Sequence, residues 1–481
     1  MIVLLGVLGA LFFGALLANS VSLHIILALA VLPLVLAVVW RSPRTTILGL
    51  VLWLVALGMV RRLIGSSSTT GIGDPLLLVG PAVLVLLFMV ACGRGALRGR
   101  TPLVNAVGLL SLLALVEAVN PLQGGLLVGF AGLLFILVPM LAFWVGRSLL
   151  DDATLRYLFK LVAALSVLSS IYGLVQQFVG FPSWDARWIS SNGYNALNVG
   201  GVIRAFGSFA SSQEYAIFLS IGLVVLVAGL RGARRVLLPL HLVAIGLVGT
   251  ALVLASVRGS IVLTVVALGG MAVARAGLRP SAALLAGFVA AALLSVALGH
   301  ISLSPQTGTS AVVDPAGVLL QHDITGLANP TGTNSSLPAH LTDTLGGIKS
   351  AFSVPIGHGT GTVTLAEGRL GGSAGQSVED DLGNAGKALG LPGLLLYLII
   401  FVWGLLGTYR LAARRRDSLA LATLGLIVVV SLQWLNGNLY SVAWLVWLCL
   451  GHVNQVTPSQ ASDAALPPPR RDAVARFRAV R

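Results

Sequence analysis

Apolar stretches of about 20 residues recur along most of this chain, and that is the length an α-helix needs to cross the roughly 30 Å hydrocarbon core of a bilayer. They fall near residues 2–18, 22–40, 45–60, 75–92, 102–117, 125–145, 157–176, 211–230, 236–255, 260–276, 281–299, 391–409, 418–434 and 440–453. Lipid offers no hydrogen-bond partner, so each backbone N–H and C=O must be satisfied within its own segment, which makes the spans helices. The pattern therefore predicts an all-α polytopic membrane protein of about 14 transmembrane helices. Charged residues make up only 10% of the chain, against roughly 25% in soluble domains. About 280 positions go to the spans out of 481, which excludes a large soluble catalytic domain.

The net charge of +14 sits in short loops between spans. Placing the N-terminus in the cytoplasm puts Arg41/Arg44, Arg94/Arg98/Arg100, Arg147/Arg156/Lys160, Arg231/Arg234/Arg235, Arg275/Arg279, Arg410/Arg414/Arg415/Arg416 and five tail arginines on one side, 22 of the 30 basic residues. Such a bias orients membrane helices. It predicts cytoplasmic N- and C-termini and a bilayer partner, and it leaves no basic surface for nucleic acid. Cys92 and Cys449 lie far apart inside apolar spans, without disulfide or zinc spacing. The first apolar run has no basic region before it and no small-residue cleavage pattern near Ala18, so it is read as a span rather than a leader.

The spans and loops form one transmembrane domain, 1–453, followed by a basic, disordered cytoplasmic tail, 454–481, containing Pro467-Pro468-Pro469. One long extracytoplasmic loop covers about 300–390. Its Gly-, Ser-, Thr- and Pro-rich part, to about 375, is expected to be irregular. Its end, with Val378, Leu382, Ala385 and Leu389 at i, i+4, i+7 and i+11, predicts an amphipathic helix near 377–390 on the membrane face. Eight basic residues break the orientation rule: Arg61, Arg62, Arg187, Arg204, Arg258, Lys349, Arg369 and Lys387.

Two of these invite chemistry. Arg204, in Val202-Ile203-Arg204-Ala205-Phe206-Gly207-Ser208-Phe209, has apolar or small neighbours, and Arg258 sits at the tip of a tight hairpin, Ala255-Ser256-Val257-Arg258-Gly259-Ser260. A lone charge between long apolar runs faces water, a headgroup or an anion. The bland reading is a side chain that snorkels to lipid headgroups; the functional one is a guanidinium fork for phosphate oxygens. Glu379, Asp380 and Asp381 open the amphipathic segment. Ser377 is a good helix cap, and acidic residues suit a first turn. Glu379, Gly383 and Lys387 also form one polar stripe, where a carboxylate can act as general base toward a hydroxyl. Gly357-His358-Gly359-Thr360-Gly361 lacks the ending of a P-loop and the spacing of a dinucleotide fingerprint, so it is read as a flexible loop closing over a substrate. His340 and His358 have no partner spacing for a metal, and none is expected.

In order, Asn120-Pro121, Arg204 to Phe209, Ser256-Val257-Arg258-Gly259, Pro355 to Gly361, and Glu379 to Asn384 running into Leu389-Gly390-Leu391-Pro392-Gly393 resemble the O-antigen ligase and polysaccharide polymerase superfamily over about residues 100–410. The resemblance implies a GT-C-type architecture in the bacterial cytoplasmic (inner) membrane. It also implies transfer of a glycan from an undecaprenyl-diphosphate-linked donor to a glycan or lipid acceptor hydroxyl on the outer face, without cofactor. Arg204 and Arg258 match the arginines thought to hold the diphosphate, Glu379 and Asp380 take the catalytic position, and Gly357, His358, Gly359, His340 and Lys387 surround the substrate. Ligases of the family usually carry a His-Asn pair where this chain has Glu379 and Asp380, a carboxylate form closer to polymerase-like members. The rival expectation is a transporter or flippase for lipid-linked or anionic solutes, which needs charges near the midplane of its spans; Glu117 and His24 are the residues it would use.

Overall fold

The computed structural model describes residues 39, 41–64, 76–192, 198–232, 234–300, 314–332, 336–364, 380–435 and 439–465. In chain order the helices are α1 (Pro43–Ile64), α2 (Leu76–Gly93), α3 (Pro102–Glu117), α4 (Leu126–Leu149), α5 (Asp152–Phe178) and α6 (Ser183–Asn192). A two-residue antiparallel pair follows, β1 (Asn198–Val199) with β2 (Val202–Ile203). Then come α7 (Ser212–Gly229), α8 (Leu238–Leu254), α9 (Arg258–Ala276), α10 (Pro280–Gly299), α11 (Pro315–Ala328), α12 (Leu337–Ser353), α13 (Asp381–Arg415), α14 (Ser418–Val429) and α15 (Tyr440–Ala465). Among the described residues, nine helices are long and apolar enough to cross a membrane by length and composition. The described chain is thus an all-α fold of the polytopic membrane type. The first two expected spans lie outside the described residues; each of the others coincides with a helix.

Sequence sets the helix ends. Thr101, Asp151, Ser211, Asp314, Asp380 and Asp417 each accept a backbone N–H from the first turn that follows. Such caps satisfy donors that a helix start leaves unpaired. Between the ends, packing relies on small residues. A Cβ built on Gly146 of α4 would lie 1.9 Å from the Leu448 carbonyl oxygen of α15, and one on Gly451 of α15 would lie 2.0 Å from that of Phe143. With no hydrophobic drive between helices in lipid, this close backbone approach is where van der Waals contact comes from.

One end of the bundle is tied by charge. Arg44 meets Asp151 at 2.7 Å, and Asp152 takes Arg415 at 2.7 Å and His452 at 3.0 Å. Of the basic residues expected on one side, Arg44 and Arg415 thus meet at the adjacent Asp151 and Asp152.

The long loop departs from expectation. Where irregular chain was predicted, α11 and α12 form, each with a proline in its first turn. Asp314-Pro315 is a helix-start signal, because proline needs no N–H there and its φ is already helical. The segment near 377–390 also differs. Its helix starts at Asp381 with Asp380 as cap, while Ser377 and Glu379 lie outside the described residues. Its first part is covered by protein: Gly383, Asn384, Ala385, Gly386, Ala388 and Leu389 are buried. The reason is the glycines. A Cβ on Gly347 of α12 would come within 2.4 Å of the Gly383 Cα, so α12 sits directly on this first part of α13. At the other terminus, α15 continues to Ala465, into the segment from 454 where a disordered tail was expected.

α13 breaks at Gly390, whose φ of 64° and ψ of −160° are outside helical space. The backbone groups freed by the break find partners in the glycine-rich loop. His358 and Gly359 donate N–H groups to the carbonyls of Lys387 and Ala388 at 2.9 and 3.0 Å, and Leu391 donates to that of Pro355 at 3.0 Å. A Cβ at Gly390 would lie 2.1 Å from the Pro355 carbonyl oxygen, and a side chain is strained at this φ besides. Gly390→Ala should therefore cost about 1–3 kcal/mol, read as a lower unfolding temperature of the purified protein in detergent; an unchanged temperature would show that the break is not fixed by this contact.

Candidate functional site

Arg204 follows β2, and Arg258 opens α9. The structure brings them to the same neighbours. Arg204 Nη1 donates to the Ser256 carbonyl oxygen at 3.0 Å, and Ser256 Oγ donates to Asp323 Oδ1 of α11 at 2.8 Å. Arg258 Nη1 lies where a Cβ on Gly326 would stand, 1.4 Å from that position, one turn along α11 from Asp323. Only glycine at 326 leaves that room. Ser256 has a φ of 52°, an uncommon conformation for a residue with a side chain, which costs energy and persists only where its surroundings hold it.

The electrostatics follow from this placement. Asp323 is 2% exposed. Burial pushes its carboxyl up to about 7, against the Ser256 hydrogen bond and the attraction of Arg258 and Arg204. Burial, then repulsion from Arg258 and Arg204, pushes the neighbouring His322 below its ordinary value. That histidine is therefore neutral at neutral pH, and the local charge consists of two guanidiniums and one carboxyl poised near its midpoint.

The loop that presents Arg204 is held from below. Arg62 Nη1 and Nη2 donate to the carbonyls of Phe209 and Gly207 at 2.8 and 2.6 Å, and its guanidinium lies over the Phe206 ring at 4.7 Å. Its Nε is 3.0 Å from Asp185 Oδ1, with both side chains fully buried. Asp185 Oδ2 accepts from Tyr172 and Gln176 at 2.6 and 2.7 Å. Gln176 Oε1 in turn accepts the N–H groups of Phe206 and Gly207 at 3.1 and 2.8 Å. Phe206, Gly207 and Phe209 thus have side-chain partners from α1 and α5, which Asp185 of α6 in turn holds.

A second group of expected residues gathers at the start of α13. Asp380 Oδ1 accepts the Gly383 N–H at 2.9 Å, and its Oδ2 accepts the Thr344 hydroxyl at 2.5 Å. Both oxygens are engaged, so Asp380 is a helix cap tied to α12 before it is anything else. Glu379, expected beside it as the base, lies outside the described residues. His340 is one turn before Thr344 on α12. His358 Nδ1 is 3.2 Å from the Lys387 carbonyl oxygen and 3.4 Å from Ser350 Oγ. Gly357, His358, Gly359 and Lys387 are therefore brought together, but by backbone pairing. Gly357 accepts at its carbonyl from Asn120 Nδ2 at 3.0 Å, and Gln123 Oε1 accepts from Gly361 N–H at 3.0 Å. The loop expected as a flexible cover is thus bonded on both sides, to α13 and to the segment after α3.

Asp381 was read only as part of the acidic turn. It is fully buried and accepts from the Tyr397 hydroxyl at 2.7 Å, from Leu435 N–H at 3.0 Å and from Trp434 N–H. It ties α13 to the segment before α15. Glu117, offered for a transporter, is buried and accepts from Asn120 Nδ2 at 2.7 Å, while His24 lies outside the described residues. Asp323, Gln176 and Asp185 were missed. Their signal was present: each is a polar residue in or beside an apolar helix, where its cost demands a partner.

Neither the protein-family models nor the curated proteins contain a match for this chain, so its chemistry is argued from its own residues.

Proposed function

We propose that this chain is a glycosyltransferase of the O-antigen ligase and polymerase type, with about 14 membrane helices in a GT-C-type arrangement. In this reading it sits in the bacterial cytoplasmic membrane with its termini in the cytoplasm, and it transfers glycan from a polyprenyl-diphosphate carrier to an acceptor hydroxyl on the outer face. The observation that supports it is that Arg204 bonds Ser256, which bonds Asp323 of α11, while Arg258 packs on Gly326 one turn along the same helix. Two permanent cations in a partly dry setting suit a diphosphate whose charge grows as it leaves.

The acceptor oxygen bonds to the anomeric carbon as the bond from that carbon to the phosphate oxygen breaks. The diphosphate departs with the electron pair, compensated by the two guanidiniums. One displacement inverts the anomeric centre. The hydroxyl proton passes to Glu379, next in sequence to Asp380, which caps the start of α13. Incubating the purified protein with a lipid-linked oligosaccharide and reading product length tests this. Ladders identify a polymerase, one added block identifies a ligase, and no new glycosidic bond with any such donor contradicts the reading.

A further inference from the structure

Asp323 has no place in the chemistry above, yet it is the acidic group the two arginines share. Its Oδ1 is held by Ser256, whereas among the described residues its buried Oδ2 has no hydrogen-bond partner, and neither has the buried Arg258 Nη1. Two orphaned buried atoms of opposite polarity, carried by neighbouring helices, are costly unless something alternates between them. An anion that reached the arginines would also meet this carboxylate. Two guanidiniums and an ionised Asp323 leave one net positive charge for a diphosphate diester carrying two negative ones, while a protonated Asp323 leaves two.

We propose that Asp323 is the internal counter-anion of the arginine pair, and that a phosphate-bearing lipid binding to Arg204 and Arg258 displaces its charge by protonating it, with the proton taken from solvent. The inference rests on reading the arginine pair as a phosphate site. No bond other than O–H on Asp323 forms or breaks. Protonation also gives Oδ2 a hydrogen to donate, so the orphaned acceptor becomes a donor to a phosphate oxygen, and Ser256 keeps its bond to Oδ1.

The groups facing Asp323 are few. Arg258 comes from α9, Arg204 from the segment after β2, and His322 from its own helix. Of the other elements packed on α11, α10 carries no charged side chain and is followed by His300, α8 carries only His241, which bonds the Leu226 carbonyl, and the strand pair has no titratable group. On α5, Asp152, Arg156 and Lys160 lie in its first turns, and Tyr172 bonds Asp185. With a carboxyl pushed up to about 7, the sign is fixed. Below that pH Asp323 is already protonated and affinity is flat. Above it each binding event must take up a proton, so affinity falls about tenfold per pH unit.

The test uses the full-length protein in detergent and farnesyl-diphospho-N-acetylglucosamine, a diester whose own charge does not titrate between pH 5 and 9. Calorimetry in two buffers of different ionisation enthalpy counts the protons. The expected result is close to one proton taken up at pH 8 and about tenfold weaker binding at pH 8 than at pH 6. In Asp323→Asn both the uptake and the pH slope disappear while binding survives. Wild-type binding without proton uptake, or an unchanged slope in Asp323→Asn, overturns the role of Asp323 and leaves the phosphate reading intact. No binding at any pH overturns both. Proton counting on the wild type needs no variant, so the outcome stands even if Asp323→Asn does not fold.

Discussion

Replacing Arg62 with alanine should destabilise the protein by about 3–5 kcal/mol, the cost of leaving one partner of a buried ion pair uncompensated. Asp185 would then be fully buried with only Tyr172 and Gln176 to solvate its charge. The carbonyls of Gly207 and Phe209 would lose the fork that holds them. Against a total stability of about 5–15 kcal/mol for an ordinary domain, that is a large fraction. Thermal unfolding of the purified protein is the measurement, and a wild-type unfolding temperature would contradict the account. Arg62→Lys should recover little, because an ammonium cannot reach both carbonyls and the carboxylate as a planar fork does.

Arg204→Ala and Arg258→Ala should each lower transfer by about 10²–10³-fold, the range seen when one preorganised charge stabiliser is removed, while membrane insertion and unfolding temperature stay close to wild type. The contrast with Arg62 is the point. Arg62 gives Nη1 and Nη2 to two carbonyls and pairs its charge with Asp185, whereas among the described residues the buried Arg258 Nη1 has no hydrogen-bond partner. Loss of Arg62 should unfold the chain; loss of Arg204 or Arg258 should silence it. Rates from single-turnover transfer, set beside unfolding curves for the same preparations, separate the two effects. Comparable losses of stability in all three variants would mean the arginine pair is structural.

The spans were legible because the signal for a membrane helix is additive over about 20 residues, and Leu126–Leu149 or Pro280–Gly299 need no tertiary information to be found. Arg204 and Arg258 were legible as charges in the wrong place. What they share was not, because Asp323 sits 65 residues beyond Arg258 in a segment whose glycines and prolines read as loop. The start signal of α11, Asp314 followed by Pro315, was in plain view and was outweighed by composition. The cover over the first part of α13 was not legible for a different reason. Its period is that of an amphipathic helix, and period alone cannot tell a helix lying on lipid from one covered by α12 through Gly347 and Gly383. Likewise the alternating glycines of 357–361 suggest freedom in sequence, whereas in the fold they permit the close approach that closes the break at Gly390.

The central claim is that Arg204 and Arg258 neutralise a departing lipid diphosphate. The most direct measurement is the amount of polyprenyl diphosphate released per glycosidic bond formed, in the wild type and in the Arg204→Ala/Arg258→Ala double variant. One diphosphate per bond is expected in the wild type, and release and bond formation are expected to be lost together in the double variant. Wild-type rates of both in a folded double variant would contradict it.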